Sequence, residues 1–366
     1  MATIKDVARE ASVSIATVSR VFNGVDAVRD ETARRVRAAA ALLRYAPHRG
    51  ARSLITSRTN TLGVLLPDLY GEFFSELLRG IDLAARRSGY HILVSRSCEG
   101  RSELEEAMRA MRGRVDGVLL MSPDIDAESL LNFPLNLPVV LLCSDSKGHT
   151  VDSVIIENCK GAREIVGHLV SLGHRRIAII KGAIGNYDAA ERLRGYRMAL
   201  REAGIAPERA LEIYGGFTEA GGYAAAVTLL ALPMRPTAIF AANDSMAIGA
   251  LSALRESRIR IPEDMAIAGF DDIPLARYMD PPLSSVRVPI SDLGARAVGI
   301  LLHGITHKNE HKRRRERVST ELVVRRSCGA PCAERPPPSR GAGKAVSSGR
   351  RRPSIGENNA TTTGET

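Results

Sequence analysis

The sequence predicts a small all-α domain at the N-terminus, followed by an α/β core of two lobes built on parallel sheets. Three observations carry that reading. Residues 3–24, TIKDVAREASVSIATVSRVFNG, contain two short stretches with apolar residues at helical spacing, separated by a break. From Thr61 onward, nearly continuous apolar runs alternate with helical patterns, and the alternation is played through twice. The net charge of +10 is concentrated at the ends: residues 1–58 hold 11 Lys/Arg against 5 Asp/Glu, residues 59–328 hold 34 against 33, and residues 329–366 hold 6 against 3.

In the first stretch Ile4, Val7, Ala8 and Ala11 share one helical face, while Lys5, Asp6, Arg9 and Glu10 stay in water. Ser12-Val13-Ser14 breaks the pattern. Ser14 is suited to cap the next helix and Gly24 to end it in the left-handed conformation, which places the second helix at about Ile15 to Asn23. Val18 and Val21 then turn back toward Val7 and Ala8. Ile15, Ala16, Thr17, Ser19, Arg20 and Asn23 are left for another surface, which is small, polar and basic. Such a surface suits a recognition helix, with hydroxyls and an amide for phosphates and a few side chains near the helix start for base edges in the major groove. Arg20 can read guanine in a two-pronged bond, and Ile15 and Ala16 offer apolar contact to a thymine methyl. Periodicity alone also accommodates a generic helical hairpin with a solvated face. A third helix is expected from about Glu31 to Leu43, with Asp30 as its N-cap, Val36, Ala40 and Leu43 on its inner face, and Tyr45 and Pro47 ending it.

The run DVAREASVSIATVSRVFNG resembles, almost letter for letter, the N-terminal headpiece of the lac repressor family of bacterial regulators. The resemblance implies a helix-turn-helix headpiece at residues 1–46 that binds a palindromic operator DNA through Ser14, Ile15, Ala16, Thr17, Ser19, Arg20, Asn23 and Tyr45. Residues 47–58, which include HRGARSLIT, match the hinge that folds into a short helix in the minor groove on DNA. Leu54 falls on the family's wedge leucine and Ala51 lies one turn before it; such an apolar wedge kinks the duplex. Gly50 departs from the pattern, because glycine disfavours a helix by about 1 kcal/mol relative to alanine. The hinge is therefore expected to depend more on DNA or on the dimer for its folding.

The core strands read as LGVLLPDL, YHILVSRS, DGVLLMSP, PVVLLCSD and SVIIE, then RRIAIIKG, LEIYGG, PTAIFAAND and DMAIAGFDD. Alternation with helices such as FFSELLRGIDLAARRSG and AERLRGYRMALREAG implies right-handed crossovers and ligand sites at strand C-termini. Two such units in tandem leave a cleft between lobes. The resemblance extends over residues 2–327, with HLVSLGHRRIAII, PTAIFAANDSMAIGAL and IAGFDD as later markers, and implies a periplasmic-binding-protein-like effector and dimerisation domain at residues 59–328.

By the resemblance, effector contacts come from strand-end loops, where Asp68, Phe73, Phe74, Arg192, Phe217, Asn243 and Asp271 stand. A carboxylate, an amide and a guanidinium among aromatic faces suit a polyol, so the expected small-molecule effector is a sugar; a purine-like or phosphorylated metabolite is the alternative. Each residue also has a plainer reading: Asn243 and Asp271 as turn caps, Arg192 in an ion pair, Phe73 or Phe74 in the core. Cys143 occupies a strand end where relatives often carry an acid. Ile248 and Tyr278 match dimer-interface positions of the family, and the absence of leucine heptads in the tail makes a homodimer the expectation. The implied function is an allosteric, sequence-specific transcriptional repressor.

Composition excludes other classes. The five cysteines, Cys98, Cys143, Cys159, Cys328 and Cys332, lack zinc-type pair spacing, so neither a disulfide framework nor a metal or other cofactor is expected. There is no apolar run long enough to span a membrane and no signal-peptide pattern, which reads as cytoplasmic. No Ser/His/Asp set, metal cluster or phosphate loop marks an enzyme. A sugar-binding protein without regulatory work is the competing class, and the headpiece argues against it. Residues 312–317, KRRRER, read as a solvated loop, and residues 329–366, basic and rich in Pro, Ser and Gly, are expected to be disordered.

Overall fold

The computed structural model describes residues 2–23, 28–45, 58–96, 100–122, 137–144, 151–307 and 310–329, with Asn23 through its backbone alone. Helix α1 (Ile4–Glu10) opens with a capping box in which the Thr3 hydroxyl accepts from Asp6 N and Asp6 accepts from Thr3 N at 2.9 Å. Helix α2 (Ile15–Asn23) starts where Ser14 Oγ accepts from Thr17 N at 3.1 Å, as its sequence requires. Helix α3 (Asp30–Leu42) corrects the expected cap: Arg29 holds the cap position without a side-chain bond, and Asp30 and Glu31 lie in the first turn, favourable to the positive end of the helix dipole. Val7, Val18 and Val36 are fully buried at the centre of the three helices, with Ala8, Ala11, Val21, Ala39 and Ala40 around them. Arg35 Nη2 donates to Ala11 O at 2.6 Å and ties α3 to the end of α1.

The first sheet of the core has six strands, all paired in parallel: β1 (Thr61–Leu66), β2 (His91–Arg96), β3 (Gly117–Leu120), β4 (Val139–Leu142), β5 (Asp152–Ile156) and β11 (Arg315–Val318), in the order β11-β5-β4-β3-β1-β2. Helices α4 (Glu72–Arg87) and α5 (Arg101–Met111) lie in the crossovers after β1 and β2. The second sheet holds β6 (Ile177–Lys181), β7 (Glu212–Tyr214), β8 (Ala238–Ala241), β9 (Ala266–Asp271), β10 (Ser284–Arg287) and β12 (Glu321–Val323), in the order β12-β10-β9-β8-β6-β7. Only β12 runs antiparallel, against β10. Helices α6 (Asn158–Ser171), α7 (Tyr187–Glu202), α8 (Glu219–Leu230) and α9 (Asp244–Glu256) belong to this lobe.

The lobes are interleaved where the sequence reads as two units in tandem. After β10 the chain returns to the first lobe as α10 (Ile290–Thr306), packed on α4 so closely that a Cβ on Gly80 would stand 2.0 Å from Ser291 O. It then adds β11 to the edge of the first sheet and crosses once more to add β12 to the second. Residues 312–317 are therefore not a simple solvated loop: Arg315, Glu316 and Arg317 lie in β11, pairing with Ser153 to Ile155 of β5. An edge strand binds through its backbone and tolerates charged side chains on its exposed surfaces. The hinge residues Gly50, Ala51 and Leu54, the helix-ending Gly24 and the tail from residue 330 lie outside the described residues.

Candidate functional site

On the headpiece, α2 presents Ser14, Ile15, Ala16 and Arg20 to solvent, with Thr17 and Ser19 half-buried. Ile15 is 45% exposed, an apolar side chain that its own fold leaves uncovered. The Ser14 hydroxyl lies 2.9 Å from Thr17 Oγ1 as well as capping the helix, so the two hydroxyls stand together at its start. Tyr45 is half-buried against the headpiece core, its ring edge-on to Phe22 with centroids 6.0 Å apart. Ala51 and Leu54 lie outside the described residues.

In the core the strand C-termini converge on Arg192, which α7 carries and which is only 3% exposed. Its Nε donates to Asn158 Oδ1 at 2.8 Å and its Nη1 to Ala242 O at 2.5 Å. Its guanidinium carbon lies 3.9 Å from the Phe270 ring centroid and 5.7 Å from that of Phe217. Nη2 stands 3.1 Å from Asp271 Oδ1, off the hydrogen-bonding direction, so that this buried oxygen has no hydrogen-bond partner among the described residues. Asp271 itself ends β9 at φ 106 and Phe217 sits at φ 68, backbone conformations that cost energy for residues with side chains.

Two residues not singled out in the sequence complete this cluster. Asn158 Nδ2 donates to Asp188 Oδ1 at 2.7 Å, and Asp188 is 4% exposed; Cys143, at the end of β4 in the other lobe, is buried as well. Burial pushes the Asp188 and Asp271 carboxyls up to about 6 each, against the opposing pull of Arg192. Burial also holds the Cys143 thiol well above its ordinary range, so it remains protonated. The available sequence signal was the spacing of Asp188 and Arg192, four apart on one helix face.

The remaining cleft residues take more local roles. Asn243 caps α9, its Oδ1 accepting from Met246 N at 3.0 Å, while its Nδ2 donates to Phe217 O at 3.1 Å and holds that loop. A Cβ on Gly182 would meet the Phe217 ring at 2.1 Å, so the ring lies flat over backbone. Asp68 is exposed and accepts from Leu69 N at 2.7 Å and Tyr70 N at 3.2 Å. Phe73 and Phe74 meet edge to face at 5.6 Å, half-buried against the core. Across the cleft, Leu275 N donates to Glu72 Oε2 at 2.9 Å, a bond between lobes. Ile248 is half-buried on α9, whereas Tyr278 is 76% exposed.

A helix-turn-helix unit joined to a two-lobed core, with a buried polar cluster at the strand C-termini, defines the class of ligand-responsive DNA-binding regulators. Residues 3–48 match the family described as bacterial regulatory proteins, lacI family, and residues 166–328 match the periplasmic binding protein-like domain. The chain is 36% identical to the ribose operon repressor of Haemophilus influenzae over 314 residues, which is 86% of this chain and 95% of that protein. It is also 36% identical to the HTH-type transcriptional repressor PurR of Vibrio atlanticus over 328 residues, 89% of this chain and 98% of that protein. The solved structure of the lac repressor dimer bound to operator and the anti-inducer ONPF matches with a TM-score of 0.81 at 29% identity, covering 90% of this chain and 99% of that one. The chain belongs to the lacI family of bacterial regulatory proteins. It is a DNA-binding transcriptional regulator and not an enzyme, and no helix among its described residues is long and apolar enough to cross a membrane.

Proposed function

We propose that this chain is a cytoplasmic, homodimeric repressor that reads a palindromic operator and whose operator affinity is set by a sugar held around Arg192 and Asp271. In this reading residues 1–46 form the headpiece, 47–58 the hinge and 59–328 the effector core, and Ser14 to Thr17, Ser19, Arg20 and Asn23 face the DNA. The observation that carries the sugar is the Arg192–Asp271 ion pair, whose Asp271 Oδ1 accepts no well-directed hydrogen bond among the described residues, beside the Phe270 and Phe217 rings. A buried carboxylate oxygen held by an ion pair but by no well-directed hydrogen bond can accept from a hydroxyl, and flat rings match the C–H faces of a pyranose or furanose. The likeness to a ribose operon repressor supports the same effector class. The equal likeness to PurR, with the paired Phe73 and Phe74 at the cleft, supports a nucleobase as the second reading.

The mechanism rests on a contact that spans the lobes. Leu275 N to Glu72 joins them, and a ligand that replaces or reinforces such a bond biases the lobes' relative position. In a dimer that bias sets the separation of the two hinges and hence DNA affinity, with reciprocal coupling of about 1–3 kcal/mol. Thermal melting against a panel of sugars, sugar phosphates and nucleobases tests the reading. A ligand at one hundred times its Kd stabilises by about 2.7 kcal/mol, a rise of roughly 5–10 °C for a domain of this size. The shift should vanish in Arg192→Ala and Asp271→Ala. A melt that no sugar moves, with a nucleobase raising it, selects the second reading.

A further inference from the structure

The strands of the first sheet all run parallel, so their N-terminal ends lie at one end of the lobe, and α4, α5 and α10 return to that end by their C-termini. The chain coming from the headpiece enters the core at the same place. Asn60 O accepts from His91 N at 3.0 Å and Thr61 O from Asp116 N at 2.8 Å, while the Asp116 carboxylate accepts from Thr59 N at 2.7 Å and Asn60 N at 2.9 Å. The effector cleft belongs to the opposite, C-terminal ends of the strands.

This entry end is basic. Arg87, Arg112, Arg114, Lys312 and Arg314 are exposed at it and have no ion pair among the described residues. The acids close to them are engaged: Asp82 pairs with Arg86, Asp116 holds the entering backbone, and buried Asp152 holds His311 at 2.8 Å and Arg313 at 3.5 Å. Glu310 stands exposed in the same loop as Lys312. Arg87 and Arg112 have a local reason for their places, since a cation at a helix C-terminus complements the dipole. Arg114, Lys312 and Arg314 lie in loops and have no such reason. The loop before β11 is nonetheless fixed, because Arg314 N donates to Asp152 Oδ1 at 2.7 Å and Arg314 O accepts from Ser153 N at 2.9 Å. Like charges held together on a fixed surface repel one another, and a polyanion placed against them relieves that repulsion.

We propose that this end of the first lobe is a second DNA-contacting surface, where Arg114, Lys312 and Arg314 meet the phosphate backbone of the duplex that the headpiece holds. The chain from Tyr45 to Arg58 spans at most roughly 45 Å even when fully extended at ~3.5 Å per residue, so the basic end is the part of the core tethered nearest to the bound DNA. Phosphate contacts carry no base information. The surface therefore strengthens binding to any duplex and leaves the reading of sequence to α2.

The test is fluorescence anisotropy of the full chain on a labelled random-sequence duplex several helical turns long, from about 50 to 200 mM salt. The slope of log K against log salt shrinks by about 0.9 for each phosphate contact removed, so the combined Arg114→Ala, Lys312→Ala, Arg314→Ala variant should lose about 2–3 from it and bind most weakly, relative to wild type, at low salt. A control variant removes the same charge from exposed arginines of the second lobe, as Arg201→Ala, Arg209→Ala, Arg258→Ala, and should keep the wild-type slope. Melting curves verify that both variants fold. Equal changes of slope in the two variants would mean that net charge alone acts, and a first-lobe variant with the wild-type slope would mean that the core does not touch DNA. Either result overturns the proposal, as does a wild-type chain that fails to bind the random duplex at the lowest salt.

Discussion

Asp188 and Asp271 hold protons more tightly in the folded chain than in the unfolded one, since burial moves both from an ordinary 3.8 to about 6. Between those values the folded state keeps protons that the unfolded state has released, so stability falls as pH rises through that window and the penalty is complete above it. Asp188→Asn removes one of the two penalties. The variant should be more stable than wild type at pH 7.5, by on the order of 1–3 kcal/mol, with the gap closing as pH falls toward 4. Melting both proteins from pH 4 to 8 checks this, and a variant less stable throughout would mean that the Asn158 bond and the attraction of Arg192 outweigh desolvation. Arg192 and Asp271 were legible in the sequence because RLRGY and GFDD surround them. Asp188 was not, because an acid in the first turn of a helix is the commonest of placements and only tertiary packing removes it from water. Asn243 was legible as a strand-end amide in AAND, but its two bonds are spent on capping α9 and holding Phe217.

Helices α8 and α9 show how an element's composition sets its distance from a neighbour. A Cβ on Gly249 would lie 1.8 Å from Glu219 O, and one on Gly222 would lie 2.1 Å from Met246 O, so each helix offers a glycine to the other's backbone. Backbone cannot yield as a side-chain tip can. Gly249→Ala should therefore push the helices apart and destabilise the core by about 1–3 kcal/mol or more, read as a lower denaturant midpoint with the headpiece transition unchanged. An unchanged midpoint would show that the pair slides to make room. The same reasoning explains which strands the sequence concealed. GVLL, AIFA and AIAGFD announce buried parallel strands because both faces are covered, whereas RERV, ELV and SSVR are short and polar, and only pairing with β5, β10 and β9 makes them strands. Interleaving of the lobes was hidden in part for the same reason, since the returning strands RERV and ELV are weakly patterned.

For the whole molecule, operator recognition of a palindrome requires two headpieces at fixed spacing, so DNA affinity inherits the stability of the dimer. By the resemblance, Ile248 and Tyr278 both match interface positions, but the fold places them differently. Ile248 is half-buried against its own core, so a charge there disturbs the monomer as well as any partner. Tyr278 is 76% exposed and its neighbour Leu275 42%, large apolar surfaces that the single chain leaves in water. Tyr278→Asp should therefore leave the melting temperature of the monomer unit within about 1 °C, because an exposed substitution costs within about 0.5 kcal/mol. It should nonetheless shift sedimentation from dimer to monomer and reduce affinity for a full palindrome toward that for a half-site. Sedimentation velocity and fluorescence anisotropy on one preparation decide the matter. A Tyr278→Asp chain that remains dimeric and binds the palindrome like wild type would place the interface elsewhere, whereas a monomer with intact effector binding would confirm that the cleft is complete within one chain and that the dimer serves the DNA alone.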